Sequence, residues 1–107
     1  MSGLSTHVLD AALGRPAVGV PVTLGTPGGA EHTGVTDHDG RIAELLAGPL
    51  TAGTYRLRFD TGAYWAAAGQ HGFYPEVVIA FTVSDGAGHY HVPLLLSPYA
   101  YSTYRGS

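Results

Sequence analysis

The sequence predicts an all-β chain, a two-sheet β-sandwich of seven to eight short strands with one short helix. Three observations carry that prediction. Sixteen glycines and seven prolines are spread through 107 residues, so turn signals recur, at about the ten-residue spacing typical of small sandwiches. Between them lie short runs in which apolar and polar residues alternate, the two-residue period of a strand with one buried face. One stretch only, residues 61–68 (TGAYWAAA), breaks the alternation and is rich in alanine.

The elements follow in order. Residues 4–10 (LSTHVLD) alternate, with Leu4, Thr6 and Val8 on one face and Ser5, His7 and Leu9 on the other. Gly14, Arg15-Pro16 and Gly19 signal turns, and residues 20–24 form a second strand in which Pro21 marks a strand start or an edge. GTPGGA (25–30) is a turn, and residues 31–36 form a short strand. Asp37-His38-Asp39-Gly40 is a tight turn, because Asp-Gly supplies the positive φ such turns need. Arg41 follows directly, at the start of a strand over residues 42–46, so a rigid turn can aim it. After a loop at 49–53, TYRLRFD (54–60) alternates cleanly, with Tyr55, Leu57 and Phe59 inward. The helix over 61–68 can be capped by Asp60 or Thr61 and ended by Gly69. Residues 70–75 form a loop, residues 76–83 a strand with Val77, Ile79, Phe81 and Val83 inward, and residues 84–88 a hairpin-type turn.

The last nineteen residues, HYHVPLLLSPYAYSTYRGS from His89 onward, are dense in strand formers. Tyr90, Val92, Leu94 and Leu96 share an apolar face. His89, His91, Pro93, Leu95 and Ser97 share a mixed one, which suits a site better than a core. Ser97-Pro98 breaks the run. Beyond it Ala100, Ser102, Tyr104 and Gly106 fall on one side, with Tyr99, Tyr101, Thr103 and Arg105 on the other.

Composition narrows the function. A net charge of -3 with no lysine and scattered arginines argues against a nucleic-acid partner. The absence of cysteine removes disulfides, thiolate chemistry and cysteine-ligated zinc. MSGLSTHVLD shows no basic segment followed by an apolar one, and no run approaches membrane-spanning length. One domain over residues 1–107 in the cytoplasm, with no membrane partner, is the expectation.

Three schemes fit the remaining chemistry. A serine nucleophile is disfavoured, because no G-x-S-x-G elbow is present. A zinc site on His7, His89 and His91 is chemically reasonable, since H-x-H puts two imidazoles roughly 6.5–7 Å apart on one strand face. His32, His38 and His71 lie in or beside loops and read as solvated side chains. The third scheme is metal-free acid–base hydrolysis. A histidine near its ordinary pKa can take a proton from water, and an arginine can steady developing oxyanion charge. His7, His91, Arg41 and a tyrosine hydroxyl would suffice.

The tail closing on Tyr104-Arg105-Gly106-Ser107, the opening LSTHVLDAALGRPAVGVPV and the central DHDGR together resemble the 5-hydroxyisourate hydrolases, the transthyretin-related proteins. The resemblance covers essentially the whole chain. It implies a transthyretin-like β-sandwich and a homotetramer, a dimer of dimers with sites at the dimer–dimer interface. It implies a small-molecule substrate, 5-hydroxyisourate, opened by hydrolysis to 2-oxo-4-hydroxy-4-carboxy-5-ureidoimidazoline with no cofactor and no metal. His7, Arg41, His91 and Ser107 match the family's catalytic positions, and His7, Arg41 and Tyr104 its substrate contacts. Transthyretin proper, the hormone carrier, lacks the histidines and this ending. The segment between Leu24 and Asp37 is shorter than usual for the family, and Ala100 stands where glycine or serine is more usual.

Overall fold

The computed structural model of the protein describes residues 3–84 and 88–106. Among these, nine strands and one helix occur, in two sheets. The first sheet contains β1 (Gly3–Asp10), β2 (Arg15–Pro16), β5 (Arg41–Leu46), β8 (His89–Ser97) and β9 (Ala100–Thr103). Its order is β2-β1-β8-β9, with β5 also paired to β1. The second sheet holds β3 (Pro21–Gly25), β4 (Glu31–Val35), β6 (Gly53–Phe59) and β7 (Val77–Val83), in the order β4-β3-β6-β7. Helix α1 (Thr61–Ala67) joins β6 to β7. No helix among the described residues is long and apolar enough to cross a membrane.

The inward sets read from alternation meet between the sheets. Leu4, Val8, Leu94 and Leu96 from one sheet and Leu24, Leu57 and Phe59 from the other are essentially without solvent contact. Each such side chain contributes about 1.5–3 kcal/mol on burial, so this interleaved layer holds the sandwich together. Phe81 is only half-buried, packed against the core and stacked on Tyr55 at 5.6 Å between ring centroids.

The helix starts where its cap predicts. The Asp60 carboxylate accepts from the Ala63 N–H, and Gly69, at φ +67, follows the last turn. Asp10 fixes the helix to the sheet. Its Oδ1 accepts from the Ala12 and Leu13 N–H groups, and its Oδ2 accepts from the Tyr64 hydroxyl at 2.7 Å. Burial and this carboxylate push the Tyr64 phenol up to about 12.

The structure departs from the sequence reading in two places. Arg15–Pro16, read as part of a turn, makes a two-residue strand on β1, because Leu9 pairs with Pro16 and Asp10 with Arg15. Pro21 begins its strand, as read, and the strand lies between β4 and β6. The hairpin-type turn expected at 84–88 includes residues 85–87, which lie outside the described residues; β7 and β8 on either side belong to different sheets and do not pair as a hairpin. β8 then pairs in parallel with β1, Gly3 opposite His89 through Asp10 opposite Leu96. Local alternation carries no signal for a pairing so distant in sequence.

The turn before β5 is built around two residues, Asp37 and Gly40. Asp37 Oδ1 accepts from the N–H groups of Asp39 and Arg41 at 2.9 and 3.0 Å. These hydrogen bonds, Arg41's first, hold the Asp37 carboxyl below its usual range. Gly40 sits at φ +73 and its carbonyl accepts from the Val8 N–H at 2.7 Å. A Cβ there would lie 2.4 Å from the Val8 carbonyl oxygen. Gly40→Ala is therefore expected to cost about 1–3 kcal/mol, from left-handed strain plus the clash. Urea unfolding checks this; a midpoint equal to the parent's would refute it.

Candidate active site

The outer face of the first sheet collects the chemistry. β1 points Ser5 and His7 away from the core, between Leu4, Thr6 and Val8. β8 runs alongside in register, setting Ser5 opposite His91 and His7 opposite Pro93. On the other flank β5 sets Arg41 opposite His7. Cross-strand partners share a face, so Ser5, His7, Arg41, His89 and His91 all project from one side. His91 feels the charges of Arg41, His7 and His89, which oppose its protonation. Burial is the larger cause, and together they lower the His91 pKa from its ordinary 6.5.

The Ser5 hydroxyl lies between two imidazoles. Its Oγ is 2.8 Å from His89 Nε2 and 2.7 Å from His91 Nδ1. Next to Ser5, the buried Thr6 hydroxyl donates to the Val92 carbonyl at 2.6 Å and locks β1 to β8 at this level. Nothing about Ser5 singled it out in the sequence beyond its place two residues before His7 on the same face.

The tail returns to the same place. A two-residue turn at Pro98-Tyr99 reverses the chain into β9, pairing Leu94 with Thr103 and Ser97 with Ala100. The register continues beyond β9, where Gly106 bridges His91 and its N–H donates to the His91 carbonyl at 2.8 Å. Tyr104, just past β9, is 60% exposed and lines a cleft with Phe81, Tyr90 and Arg105. Arg105 lays its guanidinium over the Tyr90 ring, 4.6 Å from the centroid. A cation–π contact this exposed is worth about 0.5–1 kcal/mol, and it holds the tail down. Ser107, a site residue in the sequence reading, lies outside the described residues.

His7, Arg41 and His91 are thus brought to one face, whereas Tyr104 lines the cleft beside Tyr90 and Arg105. The zinc scheme finds less support. Among the described residues, the group of three or more ligating side chains whose donor atoms fall within 4.8 Å of one another is Asp37, His38 and Asp39, all exposed. Asp37 already spends one oxygen on the turn. His7, His89 and His91 do not gather in that way. A cleft of 490 Å³ beside α1, lined by Trp65, Gln70, His71 and Pro75 among others, holds none of the site groups.

A sandwich with this topology and this imidazole–guanidinium face defines the class. A model of the HIUase/Transthyretin family matches residues 4–106, and the chain belongs to that family. The 5-hydroxyisourate hydrolase of Caulobacter vibrioides is 49% identical over 116 aligned positions that take in all of both chains. The structure of Klebsiella pneumoniae 5-hydroxyisourate hydrolase superposes with a TM-score of 0.91 at 45% identity, covering 100% of each chain. Sea bream transthyretin in complex with thyroxine superposes at 0.83 with 38% identity, covering 96% of this chain and 93% of that one.

Proposed function

We propose that the chain, working as one domain, hydrolyses 5-hydroxyisourate and opens its ring to 2-oxo-4-hydroxy-4-carboxy-5-ureidoimidazoline, without metal or cofactor. The observation that carries this reading is the convergence of His7, Arg41 and His91 on one sheet face. The full-length likeness to proteins named for that hydrolysis supports the substrate.

The chemistry follows from the groups. Water attacks the ring carbonyl while the neutral His91 takes its proton. The carbonyl oxygen gains negative charge facing the guanidinium of Arg41, a residue whose backbone N–H is held by Asp37 in the turn. The carbon–nitrogen bond then breaks, and a proton held by the His7/His91 pair goes to the leaving nitrogen. Overall one water is consumed, its OH on the new carboxyl and its H on nitrogen. Tyr104 contacts the substrate, and Ser107 contributes its hydroxyl.

A homotetramer, a dimer of dimers, completes the site in this reading. The face bearing the histidines lies open in the single chain, with Pro93 and Leu95 beside them, a composition suited to a shared channel. Among the described residues β7 and β9 end their sheets as edges, which suits pairing with a second copy.

The decisive experiment generates 5-hydroxyisourate in situ with urate oxidase and follows its decay. Acceleration far above the spontaneous rate is expected. An unchanged rate sinks the reading. The likeness to a thyroxine-bound transthyretin motivates one rival, a carrier of small aromatic ligands; tight thyroxine binding without turnover would favour it.

A further inference from the structure

We propose that Ser5 is a positioning residue that links His91 to His89 in a two-step proton relay, with His89 as the outer end. The catalytic half of this rests on the reading just given; the hydrogen-bonded array itself does not.

A hydroxyl has one proton. With imidazole nitrogens at 2.7 and 2.8 Å, Ser5 Oγ donates to one ring and accepts from the other. At 9% exposure Ser5 has little access to water as an alternative partner. The two rings are therefore held in complementary states, each tautomer set by the other through one oxygen.

The orientation of the His91 ring chooses the direction. The Nδ1 edge of His91 faces Ser5, whereas its Cδ2 edge lies against Gly106. A base needs a bare nitrogen directed at substrate, which leaves Nε2 for that task and puts the resting proton on Nδ1. His91 Nδ1–H thus donates to Ser5 Oγ, and Ser5 Oγ–H donates to His89 Nε2.

The relay solves an electrostatic problem. A full positive charge on His91 is opposed by Arg41, His7 and His89, the charged and titratable groups that face it. When His91 Nε2 takes the proton of the attacking water, the Nδ1 proton passes to Ser5 Oγ. Ser5's own proton passes to His89 Nε2. One proton has entered, none is lost, and the charge rests on His89, with Ser5 between it and His91. His91 is neutral, now protonated at Nε2, and can deliver that proton to the leaving nitrogen as the relay runs back.

The test uses the full chain with ¹⁵N-labelled histidine and long-range ¹H–¹⁵N correlation, which reports each ring's tautomer. Wild type is expected to hold both His89 and His91 with the proton on Nδ1 near neutral pH. Ser5→Ala is expected to lose that preference at both rings and to lower kcat about 10–100-fold, at the low end of what one proton-transfer group supplies, with KM nearly unchanged. Ser5→Thr keeps the hydroxyl, suits a strand, and is expected to keep the wild-type tautomers. Tautomers unchanged in Ser5→Ala overturn the proposal. So does a Ser5→Ala protein with wild-type kcat and pH profile. Should the tautomers shift as expected while no variant, nor the wild type, opens 5-hydroxyisourate, the array stands and the substrate assignment falls.

Discussion

Replacing His7 or His91 by alanine is expected to lower kcat for 5-hydroxyisourate opening by about a hundred- to ten-thousand-fold, the range a positioned acid or base supplies. Neither change should unfold the protein. Both side chains are only partly buried, on the face away from the core layer of Leu4, Val8, Leu94 and Leu96. Size-exclusion chromatography with light scattering separates a catalytic loss from a loss of assembly. Near wild-type turnover in both variants would remove the histidines from the mechanism. The pH profile sharpens the same experiment. The working base is neutral His91, and burial, then the charges of Arg41, His7 and His89, lower its pKa from 6.5. Protonation on the way to acid therefore begins later than for a free imidazole. The acid limb of kcat/KM should fall below pH 6.5, and a wild-type limb at or above that value would contradict the assignment. Arg41→Gln removes one of the opposing charges, so its acid limb should move upward while the rate falls.

Gly106→Ala is expected to cost about a hundredfold in kcat/KM while the fold survives, because small misplacements of a reacting group are that expensive. A Cβ at position 106 would lie 2.5 Å from His91 Cδ2. The ring has to swing away, and it is tethered at Nδ1 to Ser5, so the swing breaks the 2.7 Å hydrogen bond as well. Stability should change by less than about 1 kcal/mol, since position 106 adds little to the core. Extending the C-terminus by a few residues should act in the same direction, harming turnover far more than the unfolding midpoint. An alanine variant or tagged chain with full activity would show that the tail does not set the position of His91.

Several features of this protein were legible in the amino-acid order alone. Alternation separated Leu4, Thr6 and Val8 from Ser5 and His7, and Tyr90, Val92, Leu94 and Leu96 from His89 and His91, because a strand's side chains change sides at every residue. Asp60 announced the start of the helix, and Asp39-Gly40 announced the turn that delivers Arg41. These are local effects, governed by sterics and hydrogen bonds over a few residues, so a short window of sequence carries them. The motifs DHDGR and YRGS added the family.

What joined these pieces was not local. The parallel pairing of β1 with β8 links residues more than eighty positions apart, and only it places Ser5 opposite His91. The two-residue β2, the placing of β7 and β8 in different sheets and the service of Asp10 to both a turn and Tyr64 are likewise products of packing. Sequence fixes which face a side chain takes within its own strand; which strand lies beside it is decided by the burial of both sheets' apolar faces at once. For that reason His7, Arg41 and His91 could be named from the sequence, whereas Ser5 between its two imidazoles became visible only in three dimensions.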